Sequence, residues 1–258
     1  MSVALRVASC MAENAMPFAR ALAAWLGGRL GAAVEFVEDV PWQEREQALY
    51  RGEIDLCWIC GLPYARRRDA GVALEPLAAA VPAHRRYAGR AAYFSDVVVR
   101  ADFPARRFDD LRAARWVFNE PNSHSGYNAL LAALGSVPSR LEPAGSHQHA
   151  LARVLDGSAD AAAIDSTVLE TELRVSPGLA SRLRAVASLG PSPAPPWVAR
   201  TSLPAGLRAA ISDALVTMHE TDEGAEILAA AGLRRLAAVT DTDYDAIRAL
   251  DVRARAAA

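Results

Sequence analysis

Apolar and polar positions in the first half of the chain alternate between two periods. Leu5–Ser9 reads as a short strand. Phe18, Leu22, Trp25 and Leu26 then fall on one helical face, with Pro17 near the helix start and Gly27, Gly28 and Gly31 predicting its end. Val34–Val37 predicts a second strand, and Trp42–Tyr50 a helix closed by Gly52. Residues 54–60 predict a third strand, and residues 62–70 a short basic helix. Strands alternating with helices in this way point to βαβ units and parallel pairing.

The middle repeats the theme. Ala92–Arg100 predicts a Val-rich strand, Phe108–Leu111 a helical turn and residues 115–119 a strand. Tyr127, Leu130, Leu131 and Leu134 give a helical stripe, residues 141–144 a strand, and His147–Leu155 a helix stopped by Gly157. An apolar strand over 159–164 ends at Asp165, and a helix starts after Ser166. Residues 183–189 predict a strand that runs into GPSPAPP, which reads as a loop or crossing point because proline cannot join a sheet interior. A short strand at 197–200 is followed by a helix carrying Leu207, Ile211, Leu215 and Met218, then by helical patterns around Ile227 and Ile247.

Two alternating sets joined by extended segments predict an α/β protein of two lobes. Each lobe is expected to hold a mixed, mainly parallel sheet flanked by helices. The expected division is 1–92 with 190–258 for the first lobe and 93–189 for the second, with a ligand cleft between them.

Composition narrows the function classes. The 258 residues include 52% hydrophobic positions, enough for a sizeable core. A formal net charge of −2 gives no electrostatic footprint for nucleic acid or an anionic membrane. No apolar run reaches the roughly 20 residues that span a bilayer, so no direct membrane insertion is expected. The first ten residues, MSVALRVASC, do not read as a secretory leader. The expected location is therefore the periplasm where a leader has been removed, and the cytoplasm where the chain as given is complete.

The most informative motif is FNEPNSHSGYNAL, in which Ser123-His124-Ser125-Gly126-Tyr127 opens a helix after a strand. Small hydroxyl residues and glycine at a helix start expose backbone N–H groups that favour an anion. The same residues also suit an ordinary N-cap by Ser123 or Ser125. In GSHQHALARVLDGSADAAAID, His147 opens a helix and Asp165 ends an apolar strand, where open α/β sheets place ligand contacts. Capping of the next helix by Asp165 or Ser166 is the plainer reading of that position. His147 and His149 do not share a helix face, so no metal site is expected. His84 and His219 read as surface residues. There is no Gly-x-Ser-x-Gly elbow for a nucleophilic serine and no P-loop.

Cys57-Trp58-Ile59-Cys60 has the spacing of a thiol redox motif. It lies in an apolar run that reads as strand, where residues three apart point to opposite faces. Buried cysteine acting as a small hydrophobe is the expectation. Trp58, Cys60 and Tyr64 then fall at the strand's C-terminal end, where a pocket would open.

RGEIDLCWICGLPY, YFSDVVVRADFPARRFDDLR, the two motifs above and PSPAPPWVAR occur in the order seen in a known family. The chain resembles the PhnD-like phosphate/phosphite/phosphonate-binding proteins, solute receptors of ABC importers with the type II periplasmic-binding-protein fold. The resemblance runs over nearly the whole chain. It implies that Ser123, His124 and Ser125 grip an oxyanion and that His147 and Asp165 lie near it on the same lobe. It implies that Trp58, Tyr64 and Tyr93 wall the other side. His124 stands where a smaller hydroxyl residue is expected in a phosphonate receptor.

The function expected is capture of a small anionic ligand, phosphonate- or phosphate-like, by a monomer that delivers it to an ABC permease. No cofactor, metal or catalytic residue is expected. The alternatives on the same fold are an enzyme, for instance in cofactor-precursor metabolism, and a cytoplasmic ligand sensor.

Overall fold

The computed structural model of the chain describes residues 4–257. It divides into two compact units. The first runs up to Ala92 and resumes over Pro193–Asp245; the second holds Tyr93–Ser192 and the chain from Ala246 onward. The second crossing therefore lies at 192/193, beyond the expected 189/190. The C-terminal helix groups with the second unit, whereas the sequence pattern assigns it to the first. Its inner side, Ile247, Asp251 and Ala254, is buried.

The first unit is built on a six-stranded sheet. Its strands are β1 (Leu5–Ser9), β2 (Val34–Val37), β3 (Leu56–Trp58), β4 (Leu74–Pro82), β10 (Pro196–Arg200) and β11 (Leu233–Ala238), in the order β11-β4-β10-β3-β1-β2. β1 pairs in parallel with β2 and β3, and β10 and β11 run antiparallel to their neighbours. The sheet is mixed as expected, but parallel pairing is confined to the strands of the early βαβ units.

Helix α1 (Met16–Leu30) packs Phe18, Leu22 and Leu26 into a core shared with Ile211 and Leu215 of α7 (Ala205–Thr217) and Leu228 of α8 (Asp222–Ala230). A fully buried leucine such as Leu22 contributes about 1.5–3 kcal/mol by leaving water. The expected glycine stop of α1 holds at Gly31 and is corrected at Gly27 and Gly28. The helix runs through Gly27 and Gly28 and ends at Gly31, which takes the left-handed conformation at φ 61°. Gly27 is needed for closeness, since a Cβ there would stand 3.2 Å from Val34 Cγ2.

The second unit holds β5 (Ala92–Arg100), β6 (Trp116–Phe118), β7 (Leu141–Pro143), β8 (Ala161–Asp165) and β9 (Leu183–Pro193), in the order β7-β6-β8-β5-β9. β6 pairs in parallel with β7 and β8; β5 is antiparallel to β8. Val97, Val99, Leu111, Trp116, Leu130 and Leu134 form its core. The proline-rich stretch holds the crossing at 192/193, as expected of it, but is mostly strand rather than loop: β9 extends through Pro191 to Pro193, and only residues 194–195 are irregular before β10. β9 is an edge strand, where a missing N–H breaks no central ladder. Among the described residues no helix is long and apolar enough to cross a membrane.

Candidate functional site

The polar residues singled out in FNEPNSHSGYNAL are buried together at one end of the second unit's sheet. After β6 the chain turns and enters a helix with one wide turn, in which Asn128 N–H donates to Ser123 O, five residues back, at 3.0 Å. Such a turn is uncommon and recurs at functional sites. It leads directly into α4 (Ala129–Leu134). Ser123 caps the start, its Oγ accepting from Gly126 N at 3.1 Å. The N–H groups of His124 and Ser125, the first two of the helix, have no carbonyl one turn back to bind.

His124 faces inward and is 1% exposed. Asn128 Nδ2 donates to its Nδ1 at 3.4 Å, which leaves Nε2 protonated and donating to Ser192 Oγ at 2.9 Å. The Tyr93 ring lies 6.2 Å away. Burial lowers the His124 pKa to about 4, against a small opposing pull from Asp251 on α9 (Asp245–Ala257). The imidazole is neutral at pH 7, and both its nitrogens bond within the unit.

His147 opens α5 (His147–Leu155), which Ser146 caps by accepting from His149 N at 3.0 Å. Asn119 Nδ2 donates to His147 Nε2 at 3.3 Å, and Ser125 Oγ lies 3.3 Å from the same nitrogen. The proton then sits on Nδ1, which is buried with no partner among the described residues, as is Asn119 Oδ1. Burial also lowers the His147 pKa to about 4. Gly126 makes room for this pair, for a Cβ there would stand 2.0 Å from Asn119 Oδ1 and 3.1 Å from His147 Cε1.

Asp165 ends β8 and caps α6 (Ser166–Val175), accepting from Thr167 N at 2.8 Å and Thr167 Oγ1 at 2.6 Å. Burial raises its pKa to about 6, against the pull of those bonds. Across the ladder its register partner is Ser95, whose Oγ donates to Ser125 O at 2.6 Å. Ser123, His124, Ser125, His147 and Tyr93 are thus brought together, and Asp165 joins them through Ser95. Asn119, Asn128, Ser95 and Ser192 belong to the same cluster and carry no role in the sequence reading, whereas Gly126 is part of the helix-start motif. The buried polar residues of this unit include no arginine, and the chain has no lysine.

The three residues expected from the first unit occupy a different setting. Trp58 stacks on Trp197 at 5.6 Å, meets Phe18 edge-on at 5.4 Å, and donates Nε1–H to Pro195 O at 3.1 Å. Tyr64 is fully buried in α3 (Gly61–Asp69); its hydroxyl donates to Asp241 Oδ1 at 2.6 Å, and its ring meets Tyr244 at 5.0 Å. Cys60 is partly exposed and caps α3, because β3 is shorter than expected and stops at Trp58. The opposite-faces argument for Cys57 and Cys60 is therefore replaced. The buried Cys57 Sγ lies 3.6 Å from Cys10 Sγ. Among the described residues no three His, Cys, Asp or Glu side chains are placed to hold a metal ion. His84, His149 and His219 are exposed, as their positions suggest.

Several solved structures share this fold. A binding-protein component of an ABC phosphonate transporter from Pseudomonas aeruginosa is similar with a TM-score of 0.84 at 17% identity, over 99% of this chain and 87% of that one. PhnD1 from Prochlorococcus marinus, solved with methylphosphonate, gives 0.83 at 18% identity over 98% of both chains. The alkanesulfonate-binding protein SsuA from Xanthomonas axonopodis pv. citri, bound to MOPS, gives 0.67 at 19% identity over 100% of this chain and 96% of that one. No curated protein matches the sequence. Residues 11–244 match the family model described as ABC transporter, phosphonate, periplasmic substrate-binding protein. The chain belongs to that family, whose members are transport receptors rather than enzymes.

Proposed function

We propose that the chain captures a small phosphonate- or phosphate-like oxyanion at the start of the 124–134 helix and hands it to an ABC permease from the periplasm. The observation that carries this reading is the buried Ser125 Oγ, 3.3 Å from His147 Nε2, at a helix start whose first N–H groups have no carbonyl one turn back, with His147 Nδ1 buried and unpartnered on the ring's other side. Donors fixed on rigid elements select by penalising any analogue that leaves one of them unmet. The methylphosphonate of the Prochlorococcus protein is an oxyanion of this class. Closing of the two units on the ligand is part of the proposal, as is Asp165 taking a bond from the ligand's far end.

Calorimetry with methylphosphonate, inorganic phosphate and an alkanesulfonate tests it. One of the phosphorus oxyanions binds, and Ser125→Ala weakens it by about 1–3 kcal/mol. Absence of heat with all three, or unchanged affinity in Ser125→Ala, would sink the site. Small-angle scattering that is identical with and without saturating ligand would sink the closure.

A further inference from the structure

In the first unit two thiols from distant parts of the sequence face each other, and the oxyanion reading does not use them. Cys10 Sγ and Cys57 Sγ are 3.6 Å apart although the residues are 47 positions apart in sequence. Cys57 is held in β3, beside β1, with its partner in register at Ala8. Cys10 comes just after the last residue of β1, tied by its N–H to Trp58 O at 2.8 Å. Its thiol also lies 3.6 Å from Trp42 O, at the start of the helix over residues 42–50. Cys60, the partner that the Cys-x-x-Cys spacing suggests, is the N-cap residue of α3.

We propose that Cys10 and Cys57 are an oxidisable pair that closes to a disulfide stapling β1 to β3. The sulfurs must approach from 3.6 Å to about 2.05 Å, and the Cys10 thiol must leave Trp42 O, which it meets at 3.6 Å, to do so. The two thiols differ in access: Cys10 is partly exposed and Cys57 is buried. Cys10 is therefore the attacking sulfur. Its thiolate attacks a small disulfide such as oxidised glutathione, forming a mixed disulfide and releasing one glutathione thiolate. The Cys57 thiolate then attacks the Cys10 sulfur, closing the protein bond and releasing the second. Two protein thiols are oxidised, one glutathione disulfide is reduced, and the two protons end on the glutathione thiols. The facing Cys57, and after it the burial of the sulfur itself, hold the Cys10 thiol well above its ordinary value, so closure is slow at neutral pH and faster in alkali. The family is periplasmic, and the periplasm is a compartment in which such bonds persist.

The test uses the full chain without ligand, so its outcome is independent of the oxyanion reading. Reduced protein is treated with oxidised glutathione at mildly alkaline pH, quenched by acid and digested with trypsin without reduction. Cleavage after Arg6, Arg20, Arg51 and Arg66 puts Cys10 in one peptide and Cys57 with Cys60 in another. The expected result is a linked pair of these peptides, formed equally in Cys60→Ser and absent from Cys57→Ser. Free thiols fall from three to one, and Tm rises by about 5–10 °C until dithiothreitol is added. A bond between Cys57 and Cys60, a glutathione left on Cys10, or three thiols still titrating in the folded wild type would each overturn the proposal. Fragmentation of the linked wild-type peptides assigns the bond to Cys57 or Cys60 with no variant needing to fold, and a bond to Cys60 would overturn the proposal as well.

Discussion

His124 Nε2 and Ser192 Oγ lie 2.9 Å apart, joining the polar helix start of the second unit to the end of its edge strand. With Asn128 on the other nitrogen, the imidazole spends both bonding positions inside the protein. The middle side chain of Ser-His-Ser thus ties the helix start to β9, and the donors proposed to face the ligand are its neighbours.

Ser192→Ala leaves a buried imidazole N–H without an acceptor. Such a group costs about 1–3 kcal/mol, so the urea midpoint should fall accordingly, with an unchanged denaturant slope. Ser192→Thr keeps the hydroxyl and should recover most of the loss. Equal midpoints for wild type and Ser192→Ala would mean that water replaces the bond.

Gly126→Ala tests the packing beneath the helix start. The new Cβ cannot share space with Asn119 Oδ1, and the amide must swing away from His147. Because Asn119 is a side chain that can move, the stability loss should be small, about 1 kcal/mol. Oxyanion affinity should fall tenfold or more, since His147 loses the partner that orients it. In the double variant with Asn119→Ala the two stability effects should not add. Additive stability losses in calorimetric melts would show that the two residues do not couple.

The fold was legible where side-chain period and burial agree. Trp42–Tyr50 and His147–Leu155 were placed to the residue, because each carries a helical stripe between clear stops. β4 was missed, although it lies inside the six-stranded sheet. Its sequence, LEPLAAAVP, is rich in alanine and proline, which disfavour strand locally, and tertiary pairing overrides that. Pro76 is tolerated because the ladder with β10 shifts register opposite it. β11, LRRLAA, was missed for similar reasons.

In the site, the Ser-x-Ser-Gly helix start could be read because capping chemistry is local. Asn119 and Ser192 could not, since their roles arise from contacts 28 and 68 residues away in sequence. The polar end of β6 was the available signal for Asn119. The proximity of Cys10 to Cys57 had none, because the Cys-x-x-Cys spacing pointed to the wrong partner.

Tyr64→Phe separates two roles for that residue. Its hydroxyl donates to a carboxylate at 2.6 Å, and Asp241 is partly solvated, so the loss should be about 1–2 kcal/mol in denaturant melts. If Tyr64 acts only as an anchor for the 241–244 turn, oxyanion affinity stays within twofold. A larger fall in affinity, at ligand concentrations where the variant is fully folded, would place the ring against the ligand.

Acid should weaken the second unit through its buried imidazoles. His124 and His147 titrate near 4 when folded and near 6.5 when unfolded, so the unfolded chain binds more protons between those values. Their contribution is complete above pH 6.5 and is lost as pH falls toward 4, on the order of 3 kcal/mol for each. Asp165 works the other way. Its folded pKa of about 6 lies above the unfolded 3.8, so its burial becomes less costly as pH falls through 6. The three groups together should lose roughly what one histidine alone would lose. Asp165→Asn keeps the cap of α6 but removes the compensation, so its stability should drop more steeply than wild type between pH 6.5 and 4. His147→Gln removes one of the two penalties and should flatten the same curve. Guanidinium melts of the three proteins across that range give the slopes, and parallel curves would mean that these groups do not control the acid limb.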